Sequence, residues 1–171
     1  MNVFEAIEKR HSVRKFDQLK EVSEAQIDKL LEFARRAPSA GNFQSYFLFA
    51  IRNQKIKEEL FKATFKQKHV AEASVVFVAC ADRKRVFLYG ERGRSLYCIQ
   101  DASLALYNVW LALTEMGLGG VWVGAINENK IAKTLKLPSY LRPIALLPVG
   151  YPLKLPKATK RRKLDQVSKK L

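Results

Sequence analysis

Apolar residues at helical spacing mark two amphipathic helices within the first forty positions. Phe4 and Ile7 predict a short first helix. Ser23 and Gln26 have the spacing of a capping box, which predicts that a second helix starts there and ends at Pro38. The inner stripe of this second helix consists of Ile27, Leu30, Leu31 and Ala34.

Four short apolar runs are rich in β-branched residues and predict strands that are mostly buried on both faces. They are Phe47–Ile51, Val75–Ala81, Val121–Ile126 and Ile144–Val149. The segments between them predict further helices that begin near Asn53, Arg94 and Asn127.

The predicted helix from Arg94 to Met116 carries apolar residues around nearly its whole circumference. A helix that is hydrophobic all round is buried. One sheet in a chain of this size cannot easily cover such a helix, so its outer face is expected at a subunit interface, and we predict a homodimer.

The order of these elements predicts an α+β fold in which helices flank both sides of one mixed central sheet. The length fits one domain with a real hydrophobic core, and we predict that residues 1–171 form it. The one compositional break follows Tyr151, which predicts a basic C-terminal extension from about residue 152.

The formal charge of +15 is large for 171 residues. Such a field attracts nucleic acid, anionic lipid and phosphorylated small molecules alike, so the charge alone does not choose a partner. Residues 154–171 hold eight Lys or Arg and one Asp, a net of +7 of that total. The body of the protein is therefore only moderately basic.

No stretch has the character of a signal peptide or the length of a membrane span, which predicts a cytoplasmic protein without a membrane partner. Cys80 and Cys98 form no CxxC pair and have no His at metal-ligand spacing, so we predict buried small hydrophobes and no metal site.

Familiar catalytic arrangements are missing from the sequence. There is no HExxH, no GxSxG and no Walker loop, and the glycines at 117, 119, 120 and 124 do not fit GxGxxG. We therefore expect the reactivity to come from a cofactor, and no catalytic side chain is predicted.

Residues 10–16, RHSVRKF, are the first candidate site. If the segment is extended, Arg10, Ser12 and Arg14 point to one side while Val13 turns inward, an arrangement that suits a phosphate. The alternative is a set of charges that fan out into water.

Two uncharged stretches are further candidates. Residues 38–45, PSAGNFQS, combine small residues with two carboxamides that can meet the edge of a heterocycle, although an ordinary turn has the same composition. Residues 117–124, GLGGVWVG, lead from a helix end into a strand. Gly117 is a natural helix cap, and the later glycines suit either a planar ligand against the main chain or close helix–strand packing.

Taken in this order, the motifs resemble those of the nitroreductase family of FMN-dependent flavoproteins. The opening turn is matched by Arg10, His11, Ser12, Arg14 and Phe16, and the P-S-x-x-N-x-Q loop by Pro38, Ser39, Asn42 and Gln44. The I-Q-D helix appears as Ile99-Gln100-Asp101, and the glycine-rich strand start as residues 117–124. The similarity runs from Phe4 to the basic C-terminus.

The resemblance implies a set of FMN-binding residues. Arg10, His11, Ser12 and Arg14 would hold the phosphate and ribityl chain, joined by Arg161 or Arg162. The loop of Pro38, Ser39, Ala40, Asn42 and Gln44 would line a pocket shared across an intertwined homodimer, and Trp122, Val123 and Gly124 would lie along the flavin ring. Lys66 and His69 are additional candidates.

The resemblance also implies an activity. The family transfers a hydride from NADH or NADPH through bound flavin to a nitroaromatic, a quinone or a related small-molecule acceptor. The alternatives are a flavin-binding, flavin-fragmenting or reductive-dehalogenating member of the same fold. A basic nucleic-acid-binding protein is a further one, but the basic segment 154–171 lacks the interleaved aromatics that would support it.

Overall fold

The computed structural model describes residues 2–171. Its helices are α1 (Val3–Lys9), α2 (Glu24–Arg35), α3 (Gln54–Ala63), α4 (Lys68–Glu72), α5 (Gly90–Arg92), α6 (Cys98–Glu115) and α7 (Glu128–Thr134). Its strands are β1 (Tyr46–Ile51), β2 (Val75–Asp82), β3 (Gly119–Gly120) and β4 (Leu141–Gly150). The predicted α+β class is confirmed.

The four strands form one sheet in the order β1-β2-β4-β3, and every pair of them is antiparallel. The helices α3 and α4 connect β1 to β2. Because the two strands are antiparallel, β2 starts beside the end of β1, and Ile51 pairs with Val76. The sequence predicted a mixed sheet, but the four strands pair only antiparallel. Within residues 2–171 the parallel pairing is limited to an isolated bridge between Ser12 and Gly120.

The strand predicted over Val121–Ile126 is largely absent, and this prediction was wrong. The ladder ends at Gly120, and beyond it only Val123 forms a bridge, with Leu146. Val121 and Val123 are 3% and 2% exposed, so their apolar character reflects burial against the sheet rather than continuous strand pairing.

The sheet separates two hydrophobic clusters, because successive strand residues point to opposite faces. Phe77 of β2 belongs to the cluster formed with α2 and α6, whereas Val78 belongs to the cluster that contains Leu60 of α3 and Ile131 of α7. Helices therefore cover both faces of the sheet, as predicted.

The long helix α6 is preceded by a turn of π-helix, Gly93–Tyr97. One face is fully buried, but Leu104 and Tyr107 are 42% and 37% exposed, so within this chain the helix is not covered all round. At its end Gly117 has φ 67°, and the amide of Leu118 donates to the carbonyl of Leu113 at 2.9 Å, which confirms the predicted glycine cap.

The second helix begins at the predicted capping box, where Ser23 and Gln26 hydrogen-bond each other's backbone amides. It ends at Arg35, before Pro38. At the other end of the chain, residues 153–171 are exposed throughout, with one short 3-10 turn at Leu164–Gln166.

Candidate functional site

The opening segment is held against the glycine-rich segment by its backbone. Arg10 leaves α1 in an extended conformation, and the amide of Val13 donates to the carbonyl of Gly120 at 3.0 Å. Val13 and Phe16 are buried, and Phe16 forms an isolated bridge with Pro152. The backbone contacts and these two buried side chains fix the position of residues 10–16.

Arg10 lies over an aromatic ring that the sequence did not single out. Its guanidinium carbon is 4.2 Å from the ring centre of Trp110, and the Trp110 indole N–H donates to the carbonyl of Gly120 at 3.2 Å. The ring attracts the cation and fixes its plane. One guanidinium nitrogen, Arg10 Nη1, is buried and has no hydrogen-bond partner.

A cavity of about 420 Å³ opens beside this guanidinium. Its wall is formed by the end of α1, the end of α6 and the glycine-rich turn, and includes Arg10, His11, Val13 and residues 117–120. Ser12 and Arg14 do not line it. The structure therefore brings Arg10 and His11 to one cavity but does not bring Arg10, Ser12 and Arg14 to a common point.

Arg14 is instead close to His69. Burial lowers the pKa of His69, and the positive charge of Arg14 lowers it further, while Glu72 opposes the shift. His69 is 9% exposed and its Nε2 is buried without a hydrogen-bond partner. We infer that the imidazole is neutral near pH 7 and has one ring nitrogen free for a ligand.

The loop before His69 has an uncommon backbone. Phe65 and Lys66 have φ of 53° and 61°, in the left-handed region that non-glycine residues seldom adopt. The Gln67 carboxamide donates to the carbonyl of Ala125 at 3.5 Å, which ties this loop to the segment after Gly124. The loop that contains Lys66 and precedes His69 is therefore joined to the chain just after Gly124, and a role of Lys66 and His69 in binding stays a prediction.

Arg10 Nη1 and His69 Nε2 are the two buried side-chain nitrogen or oxygen atoms without a partner in the described part of the chain. Buried polar atoms are nearly always hydrogen-bonded, so two exceptions in adjacent clusters call for a ligand. A guanidinium and a neutral imidazole suit a group that combines an anion with neutral polar edges. The residues present therefore fit FMN.

The loop of residues 38–45 is tightly held at the start of α6. The buried carboxylate of Asp101 accepts from the amide of Ala40 at 3.0 Å and from the hydroxyl of Ser45 at 2.5 Å. Gly41, Asn42 and Gln44 have φ of 54°, 57° and 47°. Gly41 tolerates this conformation, but Asn42 and Gln44 adopt it at a cost in free energy, which is found where the surroundings enforce the shape.

Gln44 is fixed from several sides. Its backbone amide donates to the hydroxyl oxygen of Ser39 at 3.0 Å, and its carboxamide donates to the carbonyl of Asn42 at 3.2 Å. Arg85 donates to the carbonyl of Gln44 at 2.9 Å and pairs with Asp82 at 3.1 Å. Pro38 and Asn42 are exposed, whereas Ser39, Ala40 and Gln44 are half-buried.

The two predicted halves of the site lie at different points along α6. The 38–45 loop contacts Asp101, and Arg10 covers Trp110. Nine residues of α-helix correspond to about 13 Å along the axis. A cavity of about 570 Å³ at Pro38, Ser39 and Ala40 is lined by other residues than the cavity at Arg10.

The segment Trp122–Gly124 lies on the side of Arg10. The Trp122 ring is 6.3 Å from the Trp110 ring, Val123 is buried, and Gly124 is exposed. A Cβ at Gly119 would lie 2.6 Å from Val13 Cγ2, and one at Gly120 would lie 2.9 Å from the carbonyl oxygen of Pro148. Close packing within the chain thus explains Gly119 and Gly120, while Gly124 stays open to a ligand.

Arg161 and Arg162 are exposed, and within residues 2–171 neither forms a hydrogen bond or an ion pair with the opening segment. Pro152 and Leu155 are the residues of the C-terminal segment that line the cavity, and the amide of Leu153 donates to the carbonyl of Lys15 at 3.0 Å.

Sequence reasoning missed two residues of this site. The apolar pattern of residues 94–116 predicts only burial for Trp110, and no pattern indicates a role for Arg85. Trp110 lies two turns before the cap at Gly117, and this position is a signal for an aromatic partner of a nearby cation. No local pattern marks Arg85, because its partner Gln44 is forty-one positions away.

In residues 2–171 no three His, Cys, Asp or Glu side chains come together in a way that could hold a metal ion. The helices of the same residues include none with the length and apolar character of a membrane span. The cytoplasmic location stays a prediction.

Comparison with known proteins gives a consistent result. The family model of the nitroreductase family matches residues 7–72 and 62–151. A protein of Methanothermobacter thermautotrophicus, provisionally named NADH dehydrogenase/NAD(P)H nitroreductase, is 32% identical over 160 residues, covering 91% of this chain and 80% of the relative. A Staphylococcus aureus NADPH-dependent oxidoreductase is 31% identical over 165 residues, covering 88% of this chain but 65% of the relative.

Solved structures agree on the fold. A nitroreductase-like protein from Streptococcus mutans superposes with a TM-score of 0.92, covering 98% of this chain and 97% of the other at 23% identity, which is a likeness of fold alone. A nitroreductase family protein from Clostridium novyi NT superposes with a TM-score of 0.78 at 30% identity, covering 89% and 86% of the two chains.

Proposed function

Since this chain belongs to the nitroreductase family, we propose that it is an NAD(P)H-dependent oxidoreductase that binds FMN and uses it to reduce a small-molecule acceptor. The oxidoreductase class rests on the family and on the curated relatives. FMN as the flavin, hydride transfer and a nitroaromatic, quinone or related acceptor are the finer parts of the proposal.

The observation that carries the flavin site is the pair of buried atoms without partners, Arg10 Nη1 and His69 Nε2. In the proposal Arg10 and His11 hold the phosphate end, because a guanidinium stacked on Trp110 presents its donors in a fixed plane. Arg14 lies with His69 at the ring end. His69, Lys66 and Trp122–Gly124 border the ring end.

FMN, when bound, would supply two-electron redox chemistry between the reduced nicotinamide and the acceptor. The task of the protein is then to position and to stabilise charge. Arg14 and Lys66 provide positive charge near the ring segment, residues Trp122–Gly124. This charge would stabilise negative charge that develops on the reduced flavin. The neutral His69 can hydrogen-bond without adding a further charge.

We propose that each flavin site is completed by a second copy of the chain. The 38–45 loop and Arg10 are about 13 Å apart along α6 in one chain, so a loop from a partner is needed to cover the ring near Trp122. Apolar side chains left exposed on α1 and α6 support such an interface; they are Val3, Phe4, Ile7, Leu104 and Tyr107. In this assembly Arg161 or Arg162 would also contact the FMN phosphate.

The test is flavin binding followed by reduction. The purified protein should carry, or be reconstituted with, about one FMN per chain, and its flavin absorbance should bleach with NADH or NADPH in the absence of oxygen. Addition of a quinone or a nitroaromatic should restore the colour. A protein that cannot be loaded with FMN contradicts the proposal, and loaded flavin that neither nicotinamide reduces would leave a flavin-binding protein without this activity.

A further inference from the structure

A lysine-rich groove lies between α3 and α7, away from the Arg10 cavity. Its volume is about 540 Å³, within the range of small-molecule sites. Lys55 and Lys62 line it from α3, and Lys130 and Lys133 line it from α7. The proposed function has no use for these four side chains.

The spacing places each lysine pair on one face of its helix. Lys130 and Lys133 are three residues apart, and Lys55 and Lys62 are seven residues apart, which is close to two turns. The two pairs face each other across the groove, so four ammonium groups border one concave surface.

The positive charge of the groove is mostly uncompensated. Glu59 is the acidic residue that lines it, and this carboxylate is 2.7 Å from Lys62. Within residues 2–171, Lys55, Lys130 and Lys133 form no ion pair. Glu128, at the start of α7, is paired with Arg142 through two hydrogen bonds of 2.8 Å and does not neutralise the lysines.

The two helices that border the groove are joined beside the segments proposed for the flavin ring. The amide of Asn127 donates to the carbonyl of Ala63 at 2.8 Å, so the end of α3 and the start of α7 are joined directly. Asn127 follows Trp122–Gly124 by three residues, and the loop with Lys66 and His69 follows Ala63. From Lys62 to Lys55 the lining of the groove extends for roughly 10 Å along α3.

From this placement we propose that the α3–α7 groove binds the 2′-phosphate of NADPH while the nicotinamide lies at the flavin. NADPH and NADH differ in one phosphomonoester, which carries close to two negative charges at neutral pH and sits at the far end of the dinucleotide from the nicotinamide. A groove with three lysines that form no ion pair within residues 2–171, between helices that are joined beside Trp122–Gly124 and the Lys66 loop, provides a site for that group. The inference rests on the proposed function and adds a preference for NADPH over NADH.

The test compares two double variants that remove equal charge. Lys130→Gln/Lys133→Gln alters the groove, and Lys169→Gln/Lys170→Gln removes two exposed lysines near the C-terminus as the matched control. We expect the groove variant to raise the KM for NADPH about fivefold or more and to change the KM for NADH less than about twofold. The control should change neither by more than about twofold.

A second measurement needs no flavin. Calorimetric titration with 2′,5′-ADP should show tighter binding to the wild type than to the groove variant, and 5′-AMP should bind weakly to both. The inference is overturned if the groove variant affects both donors equally or neither, if 2′,5′-ADP binds no better than 5′-AMP, or if inorganic phosphate competes as well as 2′,5′-ADP. If neither NADH nor NADPH reduces the flavin of the wild-type protein, the proposed function is contradicted. The 2′,5′-ADP titration would still decide whether the groove binds the phosphate.

Discussion

The hydroxyl of Ser45 donates to the carboxylate of Asp101 at 2.5 Å, and both side chains are buried, at 0% and 3% exposure. The same carboxylate accepts from the amide of Ala40. One aspartate on α6 therefore fixes both ends of a loop that contains three left-handed residues. This anchor makes the shape of the 38–45 loop a property of the core.

Removal of the anchor should destabilise the protein and free the loop. Asp101→Ala leaves the buried hydroxyl of Ser45 and the half-buried amide of Ala40 without an acceptor, and we expect a loss of about 3 kcal/mol in the free energy of unfolding. Ser45→Ala should cost about 1–2 kcal/mol, since the bond to Ala40 survives. Denaturant unfolding and limited proteolysis within residues 39–44 measure the two effects.

The neighbouring Gln100→Ala is the control, because Gln100 is exposed on the same helix. Its effect should stay within about 0.5 kcal/mol. If Asp101→Ala were no more destabilising than this control, the carboxylate would not be the anchor.

Arg10→Ala should weaken FMN binding at least about tenfold, because one charge-assisted contact contributes about 1.5–3 kcal/mol. Arg10→Lys keeps the charge but loses the planar fork and the stacking on Trp110, so its affinity should be intermediate. Equilibrium dialysis of FMN gives the dissociation constants. Lys169→Ala is the control for net charge, and equal losses in the two alanine variants would mean that the phosphate site is misplaced.

Complementation between two defective chains tests whether the site is shared. Arg10→Ala damages one half, and Asn42→Gly/Gln44→Gly damages the other while tolerating the positive φ. In a heterodimer of the two, one shared site would take both halves from intact residues, so we expect about one tightly bound FMN per heterodimer. A site built within a single chain would leave both sites defective, and no tight binding would be recovered.

Two glycine substitutions separate packing from ligand contact. Gly119→Ala places a Cβ 2.6 Å from Val13 Cγ2 and should destabilise the fold by about 1–3 kcal/mol. At Gly124 the nearest atom to a new Cβ is Trp122 Nε1 at 3.4 Å, an ordinary contact. Gly124→Ala should therefore unfold like the wild type but bind FMN more weakly, and unchanged affinity would argue against a flavin ring along this main chain.

The stability of the flavin-free protein should depend on pH through His69. Burial and Arg14 lower its pKa in the folded state, so the unfolded chain binds the proton more tightly. The contribution of His69 is fully present above the unfolded value of about 6.5 and is lost as pH falls through the folded pKa, with a slope of at most about 1.4 kcal/mol per pH unit. Denaturant unfolding between pH 5 and 8 should show a shallower slope for His69→Gln, and identical slopes would contradict this prediction.

Local patterns were sufficient for much of the fold. The capping box at Ser23 and the glycine cap at Gly117 form as predicted, because each motif satisfies backbone groups a few residues away. The strand over Val121–Ile126 failed for the opposite reason. Whether an apolar run pairs or only packs depends on the position of Leu146, which no local signal encodes.

The sequence by itself determined which residues carry the candidate chemistry, because the polar and small residues of segments 10–16, 38–45 and 117–124 stand in a recognisable order. Only the tertiary structure decided how they are used. It placed Arg10 over Trp110, left Arg10 Nη1 and His69 Nε2 without partners, and set the 38–45 loop about 13 Å away along α6. Those relationships join residues far apart in the chain, and they are fixed by helix packing and burial rather than by spacing along the sequence.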